Sequence, residues 1–207
     1  RLGPSPLDSK WIWTSSEDGM VYVTRDGGKT WTSTFANVPG LKPNAWLATI
    51  EASNFDVGTA YVTADHHQDD DYAPYVYMTS DFGKTWKSIR GDFPDKAWWT
   101  HVIREDPKNR NLLYVGTEAG LWASWDRGGH WTSLRADLPV TPVRDLQIHP
   151  RENDLIVATH GRGLYIMDHI TPLPQLETVG TGPENHTLFD VRTSVRWNLW
   201  DTERKLR

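Results

Sequence analysis

The chain has 207 residues, of which 38% are hydrophobic and 24% are charged, with a formal net charge of −5. This composition is typical of a folded globular unit, and no apolar run approaches the roughly 20 residues that a membrane-spanning helix needs. The missing apolar run leads us to expect no membrane, and the lack of a basic cluster leads us to expect no nucleic-acid partner. The absence of Cys excludes disulfides, thiol catalysis and thiolate metal sites.

An eight-residue pattern occurs three times along the chain. It is TRDGGKTW at 24–31, TSDFGKTW at 79–86 and SWDRGGHW at 124–131, and its Asp residues lie 55 and 45 positions apart. Each copy stands between two β-branched and aromatic runs, which predicts a hairpin. Periods of this length are typical of stacked or radial repeats.

The predicted strands group into four units in chain order. The first unit, approximately 11–36, starts late at Trp11 and is expected to lack at least one strand. The second and third, at 46–90 and 98–135, each have four strand candidates. The fourth, at 142–176, lacks the repeated pattern, and Pro172 and Pro174 predict an edge or an exit instead of a last strand. Polar residues 177–187 predict a linker, and residues 188–207 predict a following domain or a tail.

Four strands per unit at this period predict an all-β fold, a β-propeller of four-stranded antiparallel blades. About three and a half to four blades are present within 1–176. Since closed propellers have about 4–8 blades, we expect an arc of a larger propeller, with the remaining blades of the parent chain as partners.

The repeated pattern makes physical sense as a turn that stabilises the scaffold. Its Asp can accept backbone N–H groups, its Gly supplies left-handed dihedrals, and its Trp can be buried against a neighbouring blade. A catalytic role is disfavoured because the same residue recurs in every copy. The expected structural residues are Asp26, Gly28, Trp31, Asp81, Gly83, Trp86, Asp126, Gly128 and Trp131.

These three segments resemble the Asp-box, or BNR, repeat (Ser/Thr-x-Asp-x-Gly-x-Thr-Trp). That repeat occurs in sialidases, in xyloglucan-degrading glycoside hydrolases and in sortilin-type (VPS10) receptor domains. Residues 112–170, including THGRGLYIMD at 159–168, resemble large secreted bacterial proteins of the glycosyl-hydrolase-like or sortilin-like type. The resemblance covers about residues 11–176 and implies a secreted or periplasmic location. The third copy departs from the pattern at His130.

One rim of such a propeller carries the loops that join strands two to three and four to one, opposite the repeated turns. The longest candidate loop there is 65–72, which contains several carboxylates and two imidazoles. It is interpreted as a solvated acidic loop, a calcium site or part of a glycosidase site. The residues concerned are His66 and His67 for ligand binding, Asp69, Asp70 and Asp71 for a metal, and Asp70 and Asp71 for catalysis.

The other loops of this rim add further candidates. Glu118 and Asp95 are candidate catalytic carboxylates, and His160 and Arg162 are candidate ligand-binding residues. Trp98 and Trp99 are adjacent in a four-to-one loop, where either both rings pack or one is exposed for stacking on a sugar.

We therefore expect a propeller segment that acts as a carbohydrate- or peptide-binding scaffold, with no cofactor apart from the calcium candidate. The alternative is a glycoside hydrolase of the xyloglucanase or sialidase type, which needs two carboxyl groups about 5–9.5 Å apart.

Overall fold

The structure, a computed structural model, describes residues 1–42, 45–135, 137–176 and 188–189. The predicted linker and all but two residues of the predicted tail lie outside these ranges. The described residues form β-strands and four short 3-10 helices, which confirms the all-β prediction. The 3-10 helices are Phe35–Asn37, His67–Asp69, Asp95–Ala97 and Leu173–Gln175.

The strands form four antiparallel sheets, each a meander of strands consecutive in the chain, within the described residues. These sheets are called blades 1 to 4. Blade 1 contains β1 (Leu2–Pro4), β2 (Ile12–Ser15), β3 (Val21–Thr24) and β4 (Thr32–Ser33). Blade 2 contains β5 (Trp46–Ala52), β6 (Ala60–His66), β7 (Asp71–Thr79) and β8 (Lys87–Ser88). Blade 3 contains β9 (Thr100–Glu105), β10 (Leu113–Thr117), β11 (Gly120–Ser124) and β12 (Thr132–Ser133). Blade 4 contains β13 (Val143–Ile148), β14 (Leu155–Thr159) and β15 (Leu164–Met167).

Blade 1 differs from the expectation, because it has all four strands. The additional strand β1 lies before Trp11 and pairs with β2 through Gly3 and Trp13. A Cβ atom at Gly3 would lie 3.0 Å from the carbonyl oxygen of Ile50, so the absence of a side chain lets β1 approach blade 2. The prediction that blade 1 lacks a strand was therefore wrong.

Hydrophobic layers fill the spaces between consecutive blades. Strand β6 shows how: Val62 packs into the layer between blades 1 and 2, and its neighbour Tyr61 packs into the layer between blades 2 and 3. Side chains alternate between the two faces of a strand, and here both faces are covered. This explains why β6 and β10 are buried along their whole length.

The repeated turns are held by their Asp carboxylates. Asp81 accepts hydrogen bonds from the backbone N–H of Thr85 at 2.9 Å, from its hydroxyl at 2.6 Å and from the hydroxyl of Thr79 at 2.9 Å. Burial acts to raise the pKa of Asp81, but these hydrogen bonds outweigh it and the pKa is lowered. Equivalent contacts surround Asp26 and Asp126.

The Trp residues of these turns do not all have the same environment. Trp86 and Trp131 are each 6% exposed and pack against the preceding blade, whereas Trp31 is 42% exposed. The expectation that all three bury a large face was therefore wrong for Trp31. The motif glycines have positive φ angles, which are 95° at Gly28, 76° at Gly83 and 92° at Gly128.

The first strands of the blades lie side by side, and the meander topology puts two sets of loops on opposite rims. The rim that carries the β6–β7 turn, the Asp95–Ala97 helix and the β10–β11 turn is called the open rim. Its loops contact one another directly, because the backbone N–H of Glu118 donates to the carbonyl of Trp99 at 3.1 Å. The repeated turns lie on the opposite rim.

Candidate functional site

Four side chains with aromatic rings lie in contact with one another on the open rim. Trp98 stacks on Trp99 with ring centroids 5.9 Å apart and planes 4° apart, and His67 also stacks on Trp99, at 5.1 Å and 20°. Tyr72 contacts Trp99 at a centroid distance of 5.6 Å. These four residues are called the aromatic platform.

Trp98 and Tyr72 are the most exposed members of the platform, with 49% and 48% of their surface accessible. The ring of Trp98 lines an open cavity of about 310 Å³ together with Tyr72, Ala73, Asp95 and Lys96. A half-exposed indole beside polar side chains combines an apolar stacking face with hydrogen-bonding groups. This combination is common where proteins bind small molecules.

The backbone of Trp98 is strained. Its φ of 62° and ψ of −168° fall in a region that only Gly normally occupies, and holding another residue there costs about 1–3 kcal/mol. The preceding 3-10 helix maintains this conformation, because the N–H of Trp98 donates to the carbonyl of Asp95 at 3.0 Å. Strain of this kind is concentrated at functional sites.

Half of the predicted loop 65–72 is strand. Strand β6 continues through His66 and β7 begins at Asp71, with His66 paired opposite Asp71 after a register shift. Only residues 67–70 form the connection. The expected long loop was therefore wrong, and its side chains have very different environments.

His66 and His67 illustrate the difference. His66 is 2% exposed and packs edge-on against Tyr75 at 5.0 Å, and burial lowers its pKa. It lies in the interior, and its role as a ligand-binding residue stays a prediction. The side chain of His67 is 40% exposed, and its Nδ1 lies 2.7 Å from the carboxylate of Asp65.

The acidic candidates of this turn are held by separate partners. Asp71 accepts from the Tyr75 hydroxyl at 2.7 Å and pairs with Lys42 at 3.3 Å. Burial acts to raise the pKa of Asp71, but these hydrogen bonds lower it overall. Asp70 accepts from Tyr72 at 3.1 Å.

Asp69 lies 3.9 Å from His66 Nδ1 and is largely exposed. Within the described residues, no three His, Asp or Glu side chains are grouped as a metal site requires. The structure therefore does not bring Asp69, Asp70 and Asp71 together as a calcium site.

Glu118 belongs to a second polar cluster on the open rim. Its carboxylate lies 2.8 Å from His101 Nε2 and 3.4 Å from an Arg144 nitrogen. Arg144 also lies 3.3 Å from His101 Nδ1, so a neutral His101 donates from Nε2 and accepts at Nδ1. Burial lowers the pKa of His101. The charge of Arg144 lowers it further, whereas the hydrogen bond and the charge of Glu118 act to raise it. Glu118 thus joins blades 3 and 4.

The remaining candidates lie apart from this cluster. Asp95 is 88% exposed at its side chain and pairs with Arg90. His160 and Arg162 are exposed in the β14–β15 turn. Among the described residues, no hydrogen bond or ring contact joins their side chains to the aromatic platform.

Sequence reasoning missed a set of charged residues on the concave side of the arc. There the first strands line an open cavity of about 610 Å³. Arg104 donates hydrogen bonds to the carbonyl of Leu146 at 2.8 Å and to the carboxylate of Asp145 at 2.9 Å. It also donates to the carboxylate of Glu51 at 3.3 Å, so that it connects blades 2, 3 and 4. Burial raises the pKa of Glu51 to about 7, although Arg104 opposes this. Aligning the first strands of the units would have placed these three charged residues together.

Comparison with known proteins supports the architecture. A model of the Sortilin-Vps10 family, described as sortilin, neurotensin receptor 3, matches residues 74–171. The fold is similar to that of the GH74 xyloglucanase from Xanthomonas campestris, with a TM-score of 0.63 and 17% identity over 81% of this chain and 28% of that one. An ancestral GH74 enzyme is similar with a TM-score of 0.58 and 17% identity over 77% of this chain and 21% of that one. No curated protein matches the sequence significantly.

A further similar structure is YCF48 bound to D1 peptide, with a TM-score of 0.56 and 16% identity over 81% of this chain and 54% of that one. The chain thus spans between about a fifth and about half of the length of these structures. The shared fold identifies these blades as those of a β-propeller, and residues 74–171 are similar to the sortilin family. No described helix has the length and apolar character that crossing a membrane requires.

Proposed function

We propose that this chain is a carbohydrate-binding part of a secreted propeller protein and that its ligand binds at the aromatic platform. The observation that carries the proposal is Trp98, whose ring is half exposed on a strained backbone beside an open cavity. The aromatic face carries negative potential, so it attracts the C–H groups on the face of a pyranose ring. Asp95 and Lys96 at the edge of the cavity can then bond sugar hydroxyls.

The location and the wider assembly belong to the same proposal. The resemblance to secreted bacterial propeller proteins supports a secreted or periplasmic location. The outward face of blade 4 exposes Leu164 and Ile166, which are 71% and 61% accessible, where the equivalent faces of blades 1 to 3 are covered by the next blade. We infer that further blades of the parent protein cover this face.

The hydrolase alternative has less support from the geometry of the open rim. The carboxylates of Asp70, Asp71, Glu118 and Asp95 each contact a different partner, and no observation pairs two of them around a common space. The xyloglucanase activity in the name of one similar structure belongs to that protein.

Binding of oligosaccharides to the full chain tests the proposal. Cellotetraose, xylotetraose and chitotetraose are titrated calorimetrically, and we expect Trp98→Ala to weaken binding about tenfold or more. Trp31→Ala is the matched control, since Trp31 is similarly exposed but lies on the opposite rim. Its affinity should equal that of the wild type.

Four results would overturn the proposal. A folded chain that binds none of the three sugars would contradict it, and so would equal losses in the Trp98 and Trp31 variants. Release of reducing ends from any of the sugars would establish the hydrolase alternative instead. A peptide whose binding is lost in Trp98→Ala, without sugar binding, would assign the platform to peptides.

A further inference from the structure

The structure indicates which ring nitrogen of His67, the imidazole of the platform, carries a proton. Asp65, at the end of β6, is 7% exposed. Its carboxylate accepts the backbone N–H of His67 at 2.8 Å, and its two oxygens lie 2.7 and 2.8 Å from Nδ1 of the same residue. An ionised carboxylate can only accept hydrogen bonds, so Nδ1 must carry a proton.

The other ring nitrogen of His67 is then available for a ligand. In a neutral imidazole one nitrogen donates and the other accepts, so the neutral ring with its proton on Nδ1 has Nε2 as its acceptor. No hydrogen-bond partner for Nε2 is found among the described residues. The ring cannot turn freely, because it is stacked on Trp99 and bonded to Asp65.

The imidazole of His67 lies close to the exposed indole of Trp98. The centroid distances from His67 to Trp99 and from Trp99 to Trp98 are 5.1 and 5.9 Å. The imidazole is therefore no more than about 11 Å from the exposed indole, within the length of two linked pyranose rings. A sugar stacked on Trp98 can extend a neighbouring unit to Nε2.

We propose that His67 determines specificity by accepting a hydrogen bond at Nε2 from a hydroxyl of a neutral oligosaccharide, and that Asp65 is its positioning residue. This inference depends on the proposed carbohydrate-binding function. It assigns the ligand class as sugars with at least two linked units, one stacked on the platform and one donating a hydroxyl. Without Asp65 the imidazole can adopt either tautomer, and only one of them accepts at this position.

The first test needs no ligand. Long-range ¹H–¹⁵N NMR of the full chain distinguishes the two neutral tautomers of His67, and we expect the form protonated at Nδ1. In Asp65→Asn, which keeps the shape but removes the charge, we expect a mixture of tautomers. A purely structural role for Asp65 would leave the tautomer unchanged, and a wild-type ring protonated at Nε2 would overturn the inference.

The second test separates this inference from the proposed function. His67→Phe retains a ring to stack on Trp99 but has no acceptor, and we expect the best of the three tetrasaccharides to bind about three- to tenfold more weakly. A monosaccharide, methyl β-glucoside, should bind the variant and the wild type equally. If a tetrasaccharide binds in a Trp98-dependent manner and His67→Phe has no effect, this inference fails alone. If none binds the folded wild type, the proposed function fails and the inference fails with it.

Discussion

Glu51 offers the sharpest test of the electrostatics, because its carboxyl lies mostly buried in the concave wall. Its side chain is 22% exposed and is bonded to Arg104 at 3.3 Å. Burial raises its pKa to about 7 from the ordinary value of 4.5. Replacing it by Gln keeps the size and the hydrogen-bonding capacity but removes the titration.

The sign of the effect follows from proton linkage. Between about pH 4.5 and 7 the folded chain holds a proton on Glu51 that the unfolded chain has lost, so the free energy of unfolding falls as the pH rises. One pKa unit corresponds to about 1.4 kcal/mol, so the whole shift amounts to roughly 3 kcal/mol. The stabilisation that protonated Glu51 contributes is fully present below pH 4.5 and is lost as the pH rises through 7.

Urea unfolding at pH 5 and pH 8 measures the effect. We expect the wild type to lose roughly 2–3 kcal/mol more between these conditions than Glu51→Gln does, so that the variant is the more stable protein at pH 8. Glu17→Gln, at an exposed position on the open rim, controls for the loss of one negative charge. An identical pH dependence in the wild type and Glu51→Gln would refute this account of the concave wall.

Two further predictions concern the contacts between blades. Trp131→Ala should lower the free energy of unfolding by about 3–5 kcal/mol, because the Trp131 ring is 6% exposed. The same change at Trp31, which is 42% exposed, should lower it much less. Equal losses in urea unfolding would contradict the burial argument. Glu105→Ala should cost about 3–5 kcal/mol, because this 2% exposed carboxylate accepts from the hydroxyls of Ser53 and Tyr61. A loss under 1 kcal/mol by thermal or urea unfolding would show that these hydroxyls find other partners.

The sequence was sufficient to predict the blades because the same turn recurs between strand-like runs. Strand β1 was missed since Leu2, Gly3 and Pro4 carry no strand pattern, and the segment becomes a strand only through pairing with β2. The extension of β6 and β7 into 65–72 was missed for a related reason. Its residues are polar, and only the register with neighbouring strands makes them extended.

The site was predicted less completely than the fold. Two adjacent Trp residues in a loop indicated the platform, but the backbone strain at Trp98 and the stacking with His67 depend on tertiary contacts. Sequence alone also could not distinguish His66 from His67, because the side to which each side chain points is set by the register shift. Glu51 and Arg104 are far apart in the chain and meet only where the first strands converge.

At Trp98, the stability of the fold and the proposed binding role favour different residues. Gly would relieve strain of about 1–3 kcal/mol, while the stacking lost with the indole is worth about 0.5–1.5 kcal/mol beyond its buried area. A chain optimised only to stay folded would therefore gain less from an indole here than from one on an unstrained backbone. We expect relief of this strain to offset part of the stacking and burial lost in Trp98→Gly, and the variant no longer offers an indole surface to another molecule.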